Sequence, residues 1–381
     1  MYDEFSDIVV APYSDLLDTP HGGTHHRGGP IWRDWSANNP HRYHKGGAPT
    51  DVQPEDPGPV ETTCDEVVYW AGACCDHFGH QIVDFSSKLA TYRAIMQPGE
   101  KILVATKIKS GFVSFDTLPE VAKLIYQYFG FGENDIMVIS KPTRFMQLRS
   151  IPQQEQHGGG RATPHHLALL EKHAFRSLPG SPRRVRRYYV SRSSVGDKAG
   201  IAAERIIEEC LRDIGFTVMH PERLPLIAQL DAYNSALELV FSEGSALHGL
   251  QLLGPIRAGI RVLTRRPGSR MLEPNLAQRT DRLSYTLLGN HFIHGVEASG
   301  KPAVASGLLL PEADRLAAFL RSASAGGEEV AVDPERLRGA VEADLAAYLE
   351  REAESRRGGV PATRERINAQ LERAGFAHLR M

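Results

Sequence analysis

From about residue 63 to residue 265 the chain repeats one pattern, a short unbroken apolar run followed by a longer amphipathic stretch. Val67-Val68-Tyr69-Trp70, Ile102-Leu103-Val104-Ala105 and Ile136-Met137-Val138-Ile139 lack polar alternation, as expected of strands covered on both faces of a parallel sheet. The stretches between them, about 76–95 and 118–128, have helical spacing, so the order predicts βαβ units. A further helix, about 164–175, precedes Ser177-Leu178-Pro179-Gly180-Ser181-Pro182, whose turn formers read as a linker. The rhythm then restarts, with strands at 188–190, 216–219, 237–241 and 260–263 and helices at 201–214, 224–233 and 246–253. Ile207, Cys210, Leu211 and Ile214 share a face of the first of these helices, which stops at Gly215. Beyond about 310 the pattern is helical, with Leu337, Val341, Leu345 and Leu349 at four-residue spacing.

The pattern divides the chain into an irregular N-terminal arm (1–62), a first α/β domain (63–180), a second (183–325) and a helical tail (326–381). Two α/β halves place a cleft at their junction, where ligands of such folds bind. A length of 381 residues fits two domains and a remainder. With 41% hydrophobic and 24% charged residues, a disordered or fibrous chain is excluded. Lys+Arg 44 against Asp+Glu 46 offers no overall field for nucleic acid or an anionic membrane. Cys64, Cys74, Cys75 and Cys210 lack the spacing of a zinc site or disulfide framework, and no metal is expected. Seven of the 16 histidines precede residue 81, those of the arm in Gly-rich loops without the rigid support a metal site needs. No leader peptide and no spanning apolar run is visible, so a cytoplasmic protein without a transmembrane segment is expected.

Three segments carry candidate chemistry. In Leu239-Val240-Phe241-Ser242-Glu243-Gly244-Ser245-Ala246-Leu247-His248 a buried strand runs through Gly-Ser into a helix. Gly244 permits close backbone approach, Ser245 caps the helix, and the free N–H groups suit a diphosphate. His248 in the first turn is placed to donate to a phosphate oxygen, and Glu243 to accept from ribose hydroxyls. The plain alternative is a capped helix with a surface histidine. The segment lacks the G-x-S-x-G of a hydrolase elbow, and the chain has neither G-x-G-x-x-G after a strand nor a P-loop.

In Asp76-His77-Phe78-Gly79-His80-Gln81-Ile82-Val83-Asp84, Phe78, Ile82, Phe85 and Leu89 form a core face while His77, His80, Asp84, Lys88 and Thr91 fall opposite. His80 and Asp84, one turn apart, make a general-base pair; the alternative is a solvated face with an Asp84–Lys88 pair. Six arginines and no acid lie between Arg176 and Arg192. Nucleic-acid binding finds no recognition fold to accompany this run. Arg192, at the carboxyl end of a predicted strand, suits a bidentate phosphate contact.

At these residues the sequence resembles the family 61 glycosyltransferases, in particular bacterial members linked to capsular polysaccharide synthesis. Val68-Tyr69-Trp70-Ala71-Gly72 with His77-Phe78-Gly79-His80 and Asp84 resembles the family's amino-terminal H-W-L-x-D/E region, with Gln81 in place of the usual aromatic. Tyr189-Val190-Ser191-Arg192 resembles its Y-x-S-R strand. Glu204, Arg205, Glu208, Gly215-Phe216, His220-Pro221-Glu222, Leu226 and Gln229 follow in order, and Glu243 to His248 resembles the bacterial form of a motif that is H-G-A-G-L in eukaryotic members.

The resemblance covers about 67–253. It implies a GT-B architecture, two Rossmann-like domains facing a cleft, and inverting, metal-independent transfer of a hexosyl or pentosyl group from a nucleotide sugar. The implied acceptor is a glycan or lipid-linked glycan, with no nucleic-acid partner and at most peripheral membrane association. Asp84 assisted by His80 is the candidate base; Arg192, His248 and the helix at Gly244-Ser245 the candidate donor-phosphate ligands; Glu222 and Glu243 the candidate ribose or base contacts. An inactive nucleotide- or glycan-binding relative is the alternative.

Overall fold

The computed structural model describes residues 2–14, 17–18, 24–54, 56–108, 110–179, 187–195, 199–327, 330–355 and 360–381. It divides into two compact units, one of Met1–Gly180, His248–Ile256 and Leu272–Arg279, the other of Ser181–Leu247, Arg257–Met271 and Thr280–Met381. Of the linker expected at Ser177–Pro182, Ser177 ends a helix, while residues 180–182 and the arginines 183, 184 and 186 lie outside the described residues.

The first unit is built on β1 (Asp3–Ala11), β2 (Gly29–Pro30), β3 (Thr62–Ala73), β4 (Lys101–Ala105), β5 (Ile136–Ile139) and β6 (Thr143–Ser150), in the order β5-β4-β3-β6-β1-β2. The first four of that order are parallel, as the apolar runs predicted, and β1 and β2 add antiparallel edge strands. Residues 3–11 therefore form a strand, not part of an irregular arm. Their pattern hides it, because Asp3, Glu4, Ser6 and Asp7 interrupt the apolar positions and Asp7 turns at φ 53. Helices α1 (Phe78–Phe85), α2 (Leu89–Ile95), α3 (Glu120–Tyr128) and α4 (Pro164–Ser177) accompany the sheet. Strand order runs outward from β3 to β5, and β6 then pairs on the other side of β3. The carboxyl end of β3 is thus a topological switch point, where open α/β sheets bind ligands.

One expected helix over 76–95 is instead two. Ser86 Oγ donates to Gln81 O at 2.6 Å, and this local competition for the backbone ends α1. The second helix starts with a different face inward. Lys88, expected on the polar side, is fully buried, its Nζ 3.3 Å from Ser150 Oγ and 4.7 Å from the centre of the Tyr43 ring.

The second unit has an all-parallel sheet of β7 (Arg187–Val190), β8 (Thr217–Met219), β9 (Glu238–Ser242), β10 (Gly259–Thr264) and β11 (Leu283–Leu287), in the order β8-β7-β9-β10-β11. This is a doubly wound order that reverses between β7 and β9. Helices α5 (Glu204–Asp213) and α6 (Leu226–Ser235) make the crossovers. The tail is no appendage. Leu337, Val341, Leu345 and Leu349 of α7 (Pro334–Glu354) and Ile367 and Leu371 of α8 (Pro361–Arg373) share one core with Tyr189, Ile207, Val240 and Leu263. Among the described residues no helix is long and apolar enough to cross a membrane.

Burial pushes the Lys88 ammonium down to about 7 from 10.5, against a weaker pull from Asp51. The unfolded chain binds this proton more readily, so the cost is full below pH 7 and fades as pH rises toward 10.5. Lys88→Met should stabilise the protein by about 1–4 kcal/mol near pH 6. In denaturant unfolding, the gap to wild type should narrow by pH 9; a gap independent of pH would refute it.

Candidate active site

The first group of functional side chains forms at the carboxyl end of β3. Gly72 sits at a break in the β3–β4 register with φ 104, and a side chain there would meet the Tyr43 hydroxyl at 2.5 Å. That hydroxyl donates to Ala71 O at 2.7 Å and fixes where the strand leaves the sheet. His77 then caps α1, its Nδ1 accepting from His80 N at 3.3 Å. One turn on, His80 Nδ1 lies 2.8 Å from Asp84 Oδ2, with the imidazole about half exposed (55%) and the carboxylate 18% exposed. An ionised carboxylate only accepts, so Nδ1 carries the proton and the ring's lone pair is on Nε2. The expected pair is therefore formed, and Asp84 pairs with His80, not with Lys88. A cavity of about 140 Å³ opens here, lined by His26, Cys75, His77, His80, Asp84 and Lys107. Burial pushes the Cys75 thiol up to about 12, which leaves it inert as a nucleophile. Burial, with Lys107 nearby, pushes His26 down.

His248 also belongs to this unit. Its ring lies on Gly79, where a Cβ would come within 2.8 Å of it, and its Nδ1 is 2.9 Å from Gln251 Oε1. Burial pushes its pKa down to about 4, so it is a neutral imidazole. The sequence placed it beside Arg192 as a phosphate donor; the structure places the two residues in different units.

The second group forms at the carboxyl edge of the parallel sheet. Glu204, at the start of α5, accepts from the Tyr189 hydroxyl and from Arg192 N, each at 2.8 Å, and so fixes the turn after β7. The Arg192 side chain lies across Gly244, where a Cβ would stand 2.0 Å from Nη1. These two loops flank the switch point between β7 and β9. Ser245 opens a 3₁₀ helix, Ser245–Leu252, rather than the expected α-helix, which is a less favourable alignment of backbone donors. Glu222 is part-exposed beside His220, and its charge acts on Arg192.

Glu243 is fully buried and already engaged. It accepts from Arg265 N at 3.0 Å, from Arg266 Nε at 2.8 Å and from Ser269 Oγ at 2.7 Å. Its oxygens are thereby taken up by the loop after β10 and not held open for a ribose. Arg192 also borders a cavity of about 530 Å³ lined in part by Ser193, Arg205, Asp344 and Arg351, within the size range of small-ligand pockets. Arg187, described together with Arg176 and Arg192 of the arginine run, is committed to Glu238 at 2.7 Å and to the Phe216 ring.

Sequence reasoning missed Arg265, Arg266 and Gln251. The arginine pair had a usable signal, since it follows a buried strand directly, as Arg192 nearly does. Among the described residues no three His, Cys, Asp or Glu side chains converge as metal ligands.

Residues 78–257, a little under half of the chain, match the family model described as Glycosyltransferase 61. The match includes His80, Asp84, Arg192, Glu222 and Glu243 to His248, stops short of His77 and Arg265, and supports a glycosyltransferase. No curated protein matches the chain.

The contact at Gly244 is with the end of a flexible side chain, so Gly244→Ala should move Arg192 rather than unfold the protein. We expect thermal stability within about 1 kcal/mol of wild type and a clear loss of nucleotide binding in calorimetry. Unchanged binding would show that Arg192 is not held over a ligand site.

Proposed function

We propose that the protein transfers a hexosyl or pentosyl group, with inversion, from a nucleotide sugar to a glycan or lipid-linked glycan acceptor. The observation that carries this reading is Arg192 laid across Gly244 at the switch point of a doubly wound sheet, a place suited to an anionic leaving group. In this proposal the acceptor oxygen attacks the anomeric carbon as the bond to the diphosphate oxygen breaks. The acceptor proton passes to His80 Nε2, and Asp84 holds the tautomer and stabilises the imidazolium. The sequence ranked Asp84 as the base; the Nδ1–Asp84 bond favours the reverse order.

The leaving diphosphate is held by Arg192 and the backbone at Gly244-Ser245 without a metal, and loss of one such donor costs about 10²–10³ in rate. The cavity beside Arg192 is the candidate place for the nucleoside, and Glu222, whose charge acts on Arg192 from outside that lining, is the candidate ribose or base contact. His248 supports the base side through Gly79. A GT-B arrangement, a cytoplasmic location and a role in surface or capsular polysaccharide synthesis belong to the same proposal.

A panel of nucleotide sugars, read by thermal shift and by donor hydrolysis or transfer, tests it. One donor should raise the melting temperature, and Arg192→Ala should remove the shift. Asp84→Asn should keep donor binding and lower turnover by about 10²–10⁴. A panel with no binder would sink the donor reading, and binding without any turnover would make the protein an inactive relative.

A further inference from the structure

Arg192 and Arg265 follow β7 and β10, and the Gly244 loop follows β9, which lies between those strands in the sheet. Their guanidinium groups share an anomaly: the Nε of each is buried with no hydrogen-bond partner. Among the described residues each has a single hydrogen bond from its side chain, Arg192 Nη2 to Ala199 O at 3.3 Å and Arg265 Nη1 to Ala305 O at 2.9 Å. Arg279 of the first unit shows how a purely structural buried arginine looks. All three of its nitrogens donate, to the Glu155 carboxylate and to the carbonyls of Gln251, Leu253 and Asn275.

Burial and the positive charges of Arg266 and Arg192 push Arg265 down to about 10, with Glu243 pulling the other way. That carboxylate is spent on Arg266, Ser269 and the loop backbone. Two desolvated cations are thus held where they repel each other, each with a donor facing no acceptor. Buried donors of this kind call for an explanation, and an anion bound by the Nε edges supplies one. Gly244, without a side chain, lets Arg192 lie close against the loop after β9.

We infer that Arg265 is the second guanidinium of a clamp with Arg192, that the clamp takes a diphosphate, one phosphate to each arginine, and that Glu243 is its positioning residue. This deepens the donor reading and rests on it only for what the diphosphate is attached to. Glu243 holds the loop so that Arg265 turns toward Arg192.

Calorimetric titration of the full chain with inorganic pyrophosphate and with orthophosphate tests the clamp without any nucleotide. Wild type should bind pyrophosphate more tightly than orthophosphate. Arg265→Ala should weaken pyrophosphate about 10–100-fold and nearly abolish the preference. Arg265→Lys, which keeps the charge but not the fork, should recover part of it.

Glu243→Gln separates positioning from simple electrostatics. Removing a negative charge near an anion site would by itself strengthen binding, whereas a displaced Arg265 weakens it. The expected result is weaker pyrophosphate binding, with the added loss vanishing in the Arg265→Ala background. Wild-type affinity in Arg265→Ala, or no pyrophosphate binding by wild type, overturns the clamp; tighter binding by Glu243→Gln overturns the positioning role. Pyrophosphate binding lost in Arg265→Ala, with no nucleotide sugar bound by wild type, supports the clamp and removes the donor reading.

Discussion

The first unit depends on a buried ion pair. Arg279 reaches the Glu155 carboxylate with two parallel hydrogen bonds of 2.8 Å, and both side chains are almost wholly out of water. Asn275 adds a bond to the same carboxylate at 2.9 Å. Such a pair is a weak source of net stability, but breaking it by removing one partner costs about 3–5 kcal/mol. Its importance lies in what it orients. Arg279 also donates to the carbonyls of Gln251 and Leu253, the Gln251 side chain meets His248, and His248 packs on the turn that begins α1. The His80–Asp84 pair is thus supported from below by charge chemistry far from it in sequence.

The second unit handles charge in the opposite way. Two of its buried carboxylates, Glu204 and Glu243, accept several hydrogen bonds each, whereas the Nε groups of Arg192 and Arg265 have no partner. Glu204 and Glu243 build loops here, and of the arginines near them Arg192 and Arg265 are left with a free Nε. A formal charge of −2 says nothing of this, because the relevant quantity is which charges are already neutralised locally. The same contrast explains why Glu243, which sits in the most suggestive motif of the sequence, acts through its neighbours.

Much of the fold was legible because parallel strands buried on both faces leave unbroken apolar runs. The strands β3, β4, β5, β7, β9 and β10 were read on that basis, and the pairing of His80 with Asp84 follows from helical spacing alone. What was not legible depended on contacts distant in sequence. Strand β1 is a half-exposed edge with a poor pattern and takes its place by pairing with residues 143–150. Lys88 is buried because Ser86 ends a helix that periodicity would have continued. The contacts of His248 with Gly79 and Gln251 within the first unit were likewise not legible, since its expected role came from its sequence neighbours Gly244 and Ser245. Arg265 carries no motif, and its orphaned Nε is visible only once the packing is known.

The interleaving of the two units constrains the order in which the chain can mature. Glu155 has no partner for its charge until Arg279, 124 residues later, has been made. In synthesis from the amino terminus, the first unit cannot complete its core when residue 180 emerges, because segments 248–256 and 272–279 belong to it. By then the second unit's strands β7 to β10 have also been made. The unit that begins the polypeptide is therefore not the one that can be finished independently of the other's synthesis, and a cut at the apparent linker would leave an acid buried without its base.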